Sequence, residues 1–145
     1  MFKYIVLALV FTTNVYATHY NTLTAAYIEV TKKMMSNMIT NDKCDITDRL
    51  GNTNNLGDIV VVVNVMCQGK NSFTQYLMNV YDNVNGNSVI TEPIIVGDEY
   101  DFKVELVIVT DNGIILRGKQ WLKTDAHYDS SLTDHKYILY NHQLK

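Results

Sequence analysis

The chain has 145 residues, 47% of them hydrophobic and 19% charged, with a formal net charge of −3. This is the length of one domain able to bury a core of its own. With only one small basic cluster, Arg117, Lys119 and Lys123, the acidic balance excludes nucleic acid and anionic lipid as principal partners, because both are held by Lys and Arg.

In chain order, Met1-Phe-Lys3 is a short basic segment, Tyr4 to Phe11 is an apolar run, and Val15-Tyr16-Ala17 ends in a small residue. This pattern predicts an export signal over residues 1–17. The run is well short of the ~20 residues that span a bilayer, so the mature chain is expected to have no membrane span. A single exported domain, residues 18–145, is predicted, secreted or periplasmic. Export puts Cys44 and Cys67 in an oxidising compartment, and with only two cysteines one intramolecular disulfide between them is expected.

From Tyr20 to Thr40, Leu23, Tyr27, Val30, Met34 and Met38 recur at spacings of three and four, which predicts an amphipathic helix. Lys43 to Gly57 is polar and reads as an exposed connection with a turn of helix at Asp45 to Leu50. Then comes the most apolar stretch, Ile59-Val-Val-Val-Val-Asn-Val-Met-Cys67, bounded by Gly57 and Gly69. Its first face (Ile59, Val61, Val63, Val65, Cys67) is apolar and its second (Val60, Val62, Asn64, Met66) half so. A central strand covered on both sides is expected.

Phe73 to Asn83 reads as the antiparallel partner, with Val65 expected opposite Tyr76 and Val63 opposite Met78. Asn85-Gly86 signals a tight hairpin turn. Pro93 prevents Ser88 to Thr91 from continuing as a regular central strand, which leaves that edge of the sheet open to strand addition. Glu99 to Thr110 alternates, placing Phe102, Val104, Leu106 and Ile108 inward and Lys103, Glu105, Val107 and Val109 outward. A turn at Asp111-Asn-Gly113 would set Ile108 opposite Leu116, Leu106 opposite Gly118 and Glu105 opposite Lys119. Gly118 is expected at a bulge or a close approach. Thr124 to Asp134 reads as a loop and His135 to Asn141 as a last strand.

The predicted fold class is α+β, an N-terminal amphipathic helix packed on an antiparallel sheet of four to six strands. In architecture alone this layout is similar to cystatin-like inhibitors and to cone-shaped sheets that enclose ligands. The loop Gln68-Gly-Lys-Asn-Ser72 lacks the Gln-x-Val-x-Gly pattern of a cystatin, and no family is assigned.

The leading expectation is a non-enzymatic binding or inhibitor-type protein. Its partner, another protein or a second copy of the chain, would meet the outer face formed by Val107, Val109, Ile115, Arg117, Lys119 and Trp121, or an edge strand. No cofactor or metal is implied. One alternative is a hydrolase using His127, His135 and His142 with Asp125, Asp129, Asp134, Ser130 and Ser131. The other is a carrier with Tyr27, Tyr76, Tyr100 and Phe102 lining a cavity.

Overall fold

The structure, a computed structural model, describes residues 23–36, 43–69, 73–96, 102–121 and 130–145. The expected export signal, the ends of the predicted helix, Tyr100, Lys123, Asp125, His127 and Asp129 lie outside these residues. The elements are the helix α1 (23–36) and the strands β1 (Cys44–Thr53), β2 (Ile59–Cys67), β3 (Phe73–Asp82), β4 (Ser88–Ile90), β5 (Ile94–Ile95), β6 (Phe102–Val109), β7 (Gly113–Trp121), β8 (Ser130–Tyr140) and β9 (Gln143–Leu144).

The helix lies on an antiparallel sheet in the order β1-β2-β3-β4, with β5 also on β3, as the α+β reading expects. A second antiparallel sheet, β6-β7-β8-β9, covers its other face. The middle layer explains the composition of β2, whose residues Ile59 to Val65 are all buried. On the helix side, Ile59, Val61, Val63 and Val65 meet Ala26, Val30 and Met34, which recur every four residues along α1. On the other side, Val60 and Val62 join Leu77, Phe102, Val104, Val107, Ile114 and Leu116. A strand buried on both faces has no polar face to alternate, and each buried valine adds about 1.5–2 kcal/mol.

Three local readings change. Residues 44–53, expected as a connection with a helical turn, form β1, which pairs with β2 along its length, Cys44 opposite Cys67 and Thr53 opposite Ile59. The strand is polar because it lies at a sheet edge, where most of its side chains reach solvent. In the β2–β3 hairpin Val65 faces Thr74 and Val63 faces Tyr76, a slip of two residues from the expected register. An even slip keeps the same faces buried, so the apolar pattern alone could not detect it. The last long strand starts at Ser130 rather than His135.

The β6–β7 hairpin differs more. Four residues, Thr110 to Gly113, separate the paired Val109 and Ile114, so Ile108 faces Ile115 and Val107 faces Leu116. This turns Val107 inward, 3% exposed, and Leu106 outward, 46% exposed. A bulge between Val104 and Leu106 then restores the expected facing, with Val104 opposite Gly118. Gly118 is required there, because a Cβ would collide with the backbone of Lys103 and Val104. The sequence reading of a bulge at this glycine is met.

Replacing Gly118 by Ala should destabilise the protein by about 3 kcal/mol, because backbone must move to admit the methyl group; urea unfolding measures this. Cys44 and Cys67 form the expected disulfide, with a sequence separation of 23. Reducing it should lower stability by about 3 kcal/mol through loop entropy, seen as a lower urea midpoint with reductant present.

Candidate functional site

The outer face of the second sheet faces away from both cores. Along β7 it carries Ile115, Arg117, Lys119 and Trp121, alternating with the buried Ile114, Leu116 and Gly118. Their partners on β8 are Lys136, Asp134, Leu132 and Ser130. Arg117 holds Asp134 through two hydrogen bonds, Nε to Oδ1 at 2.8 Å and Nη2 to Oδ2 at 3.0 Å, and these bonds draw the Asp134 carboxyl below its ordinary pKa. Lys119 pairs with Glu105 at 3.4 Å. Leu106 and Leu132, the latter at 68% exposure, stand beside these charges, and Ile138 at 62% and Tyr140 at 61% follow Lys136 along the same side of β8. Four of the six residues expected on this face are on it: Ile115, Arg117, Lys119 and Trp121. Val107 and Val109 instead pack against the core between the sheets, because the four-residue turn inverts their half of β6. Leu106 and Ile108 take their places.

The polar end of the inter-sheet layer holds a second arrangement that the sequence reading missed. Asp58, 1% exposed, stands just before β2. Asn54 Oδ1 accepts the backbone N–H groups of Leu56 and Asp58, each at 3.0 Å, and Gly57 supplies the left-handed residue of the turn at φ 83°. The buried carboxylate accepts from Asn79 Nδ2 at 2.8 Å and Asn54 Nδ2 at 2.9 Å, and lies 2.6 Å from His142 Nδ1. Burial pushes its pKa up, but the hydrogen bonds from Asn79, His142 and Asn54, with the charge on His142, outweigh burial and hold it below the ordinary value. An ionised carboxylate only accepts, so His142 Nδ1 carries the proton and donates. In the neutral ring Nε2 is then the lone-pair nitrogen.

His142 and Asn141 form the two-residue turn between β8 and β9, with φ of 64° and 48°. Both angles are positive, as this hairpin turn demands, at a cost of about 1–2 kcal/mol per non-glycine residue. The Asp58 bond and a parallel stack on Tyr81, with ring centres 4.5 Å apart, hold the imidazole in place. Asn79 Nδ2 also donates to the carbonyl of His142 at 3.0 Å. Beside the pair is a cleft of about 210 Å³ lined by Leu56, Asp58, Asp111, Leu139, Asn141 and His142. The arrangement can orient an imidazole, but that lining carries no hydroxyl or thiol nucleophile.

The other candidates do not converge on it. Asp134 is committed to Arg117; His135 lies against Phe102, 4.1 Å between ring centres, and near Gln120 Oε1 at 3.3 Å; Ser130 and Ser131 are exposed on β8. Among the described residues no three His, Cys, Asp or Glu side chains gather to hold a metal ion. Tyr27 and Tyr76 pack in the helix-side core and Phe102 in the inter-sheet core, so they do not line one cavity. The edge expected to be open carries the short β4, where Lys33 Nζ of α1 bonds the carbonyls of Ile90 and Thr91 at 3.3 and 3.4 Å. No helix among the described residues is long and apolar enough to cross a membrane.

Comparison with protein-family models, with curated proteins and with solved structures finds no match to this chain. The geometry alone therefore carries the functional argument.

Asp58→Asn should cost about 2 kcal/mol at neutral pH, because an amide has a single acceptor oxygen for the three donors from Asn54, Asn79 and His142 that the buried carboxylate satisfies. The folded-state pKa of Asp58 is lowered, so its stabilisation is in place above the ordinary value of 3.8 and drains away as pH falls through the lower folded value. Urea midpoints measured downward from pH 5 should therefore fall more steeply for the native protein than for Asp58→Asn. Parallel curves would show that Asp58 contributes no such term.

Proposed function

We propose that this chain is an exported, non-catalytic binding domain that engages a protein partner through the outer face of its second sheet. The observation that carries this reading is the set of four large apolar side chains, Leu106, Leu132, Ile138 and Tyr140, that stand 46% to 68% exposed on that face. The helix and the first sheet both lie behind it, and apolar side chains among paired charges match the composition of recognition surfaces. Trp121 and Arg117 on the same face are residue types that dominate binding energy at interfaces. Export is supported by the N-terminal pattern over residues 1–17 and by the Cys44–Cys67 disulfide, which persists in oxidising compartments.

The second reading, hydrolysis through the segment from His127 to His142, is favoured by one observation, the imidazole of His142 oriented by Asp58. It would use water as the nucleophile, with His142 Nε2 as general base.

Expression with the N-terminal segment intact should give a secreted product that begins at Thr18 by mass spectrometry; an intact N-terminus in the cell overturns export. Immobilised native protein should retain a protein partner at least about tenfold more tightly than Ile138→Ser/Tyr140→Ser, a loss of ~1.4 kcal/mol or more, with both forms equally stable to heat. Equal retention by the two forms overturns the surface assignment. Turnover of chromogenic esters that disappears in His142→Ala would replace the binding reading by the hydrolytic one.

A further inference from the structure

The proposed surface has an electrostatic feature that the fold does not need. Lys103 and Lys119 lie directly opposite each other on β6 and β7, and both are exposed. Like charges directly opposite across two strands destabilise a sheet. Glu105 relieves Lys119 at 3.4 Å, but Lys103 has no ion-pair partner among the described residues. Lys136 stands on the same face, next to the Arg117–Asp134 pair. At its rim Lys145 Nζ sits 5.4 Å from the centre of the Tyr140 ring. Among the described residues the face thus carries the cations Lys103, Arg117, Lys119, Lys136 and Lys145 against the anions Glu105 and Asp134, on a chain whose formal charge is −3. Positive charge is concentrated where the apolar side chains are exposed.

We infer that the partner presents an acidic protein segment, with a carboxylate seated between Lys103 and Lys119 and an adjacent apolar side chain packed on Leu132 and Trp121. This rests on the reading of the outer face as the binding surface and specifies what binds there. Leu132 is the direct β8 neighbour of Lys119, and Trp121 lies two residues further along β7, so both flank the lysine pair. A carboxylate between two ammonium groups removes the cross-strand repulsion, and the bound state regains what the free sheet gives up. A second copy of the chain would bring one cationic face against another. An anionic bilayer would meet the acidic remainder of the chain as well as Glu105 and Asp134.

The test selects a displayed random-peptide library on the full, disulfide-bonded protein and measures the enriched peptides against two variants, Lys103→Glu and Leu132→Ser. Enriched peptides should carry Asp or Glu beside an aromatic or aliphatic residue. They should lose at least about tenfold in affinity for each variant and weaken as salt rises from about 50 to 300 mM. Lys103→Glu should meanwhile raise the thermal midpoint, because it places opposite charges across the strands. If the peptides lack acidic residues, or bind Lys103→Glu undiminished while failing on Leu132→Ser, the acidic partner is overturned and the surface stands. Peptides indifferent to both variants, or no enrichment, overturn both. Binding to phosphatidylserine vesicles that is lost in Lys103→Glu, without acidic peptides, assigns the lysine pair to lipid phosphate and overturns a protein partner.

Discussion

Burial of β2 on both faces is the constraint on which the rest of the structure depends. A strand with valines on each side needs apolar cover above and below. The helix supplies one cover through Ala26, Val30 and Met34, and the second sheet supplies the other through Phe102, Val104, Val107, Ile114 and Leu116. Either cover alone would leave a valine row in water at about 1.5–2 kcal/mol per side chain. The three layers are thus one solution to one stretch of sequence, with β1 and β3 supplying its backbone hydrogen bonds.

Stacking two sheets leaves backbone groups at the facing edges without a strand to pair with, and amide side chains fill that role. Gln75 of β3 donates to the carbonyl of Phe102 at 2.7 Å and accepts from the N–H of Val104 at 2.9 Å, standing in for one residue of a neighbouring strand. Asn52 donates to the carbonyl of Val107 and Asn54 to that of Thr110, each at 3.0 Å. At the far end of the layer, Asn79 and His142 close on Asp58. Unpaired polar groups in such places cost about 1–3 kcal/mol each, so these bonds also fix how the sheets sit on one another. The Asp58–His142 pair explains why the β8–β9 turn keeps a histidine in the left-handed region: the strain is offset by the bond that ties the C-terminal hairpin to the first sheet.

The face left over after both cores are formed is the one we propose for recognition. Its composition is set by the bulge at Glu105 together with Gly118. Without the inversion they bracket, Val107 and Val109 would be exposed, and Leu106 and Ile108 would be buried. The fold gains nothing from a cross-strand lysine pair or from exposed Ile138 and Tyr140 side chains, and this makes the face the most economical place for function.

Much of the architecture was legible in the sequence because it rests on local pattern. The spacing of Ala26, Val30 and Met34 specifies a helix with one apolar stripe, and the composition of β2 specifies a doubly covered strand. The Asn85-Gly86 turn is equally local, and Gly118 marks the bulge. Export context and the count of two cysteines predict the disulfide. The polar β1 was hidden because its strand character comes from pairing with β2, not from its own composition. Register in both hairpins turned on loop lengths that differ by one or two residues, which the apolar pattern does not measure. Asp58 and His142 are 84 positions apart, and no local pattern links them. Sequence by itself determined which segments must be buried and on how many sides. Only the tertiary structure decided which residues of β6 face outward and which distant polar groups meet, because both follow from how the two sheets stack.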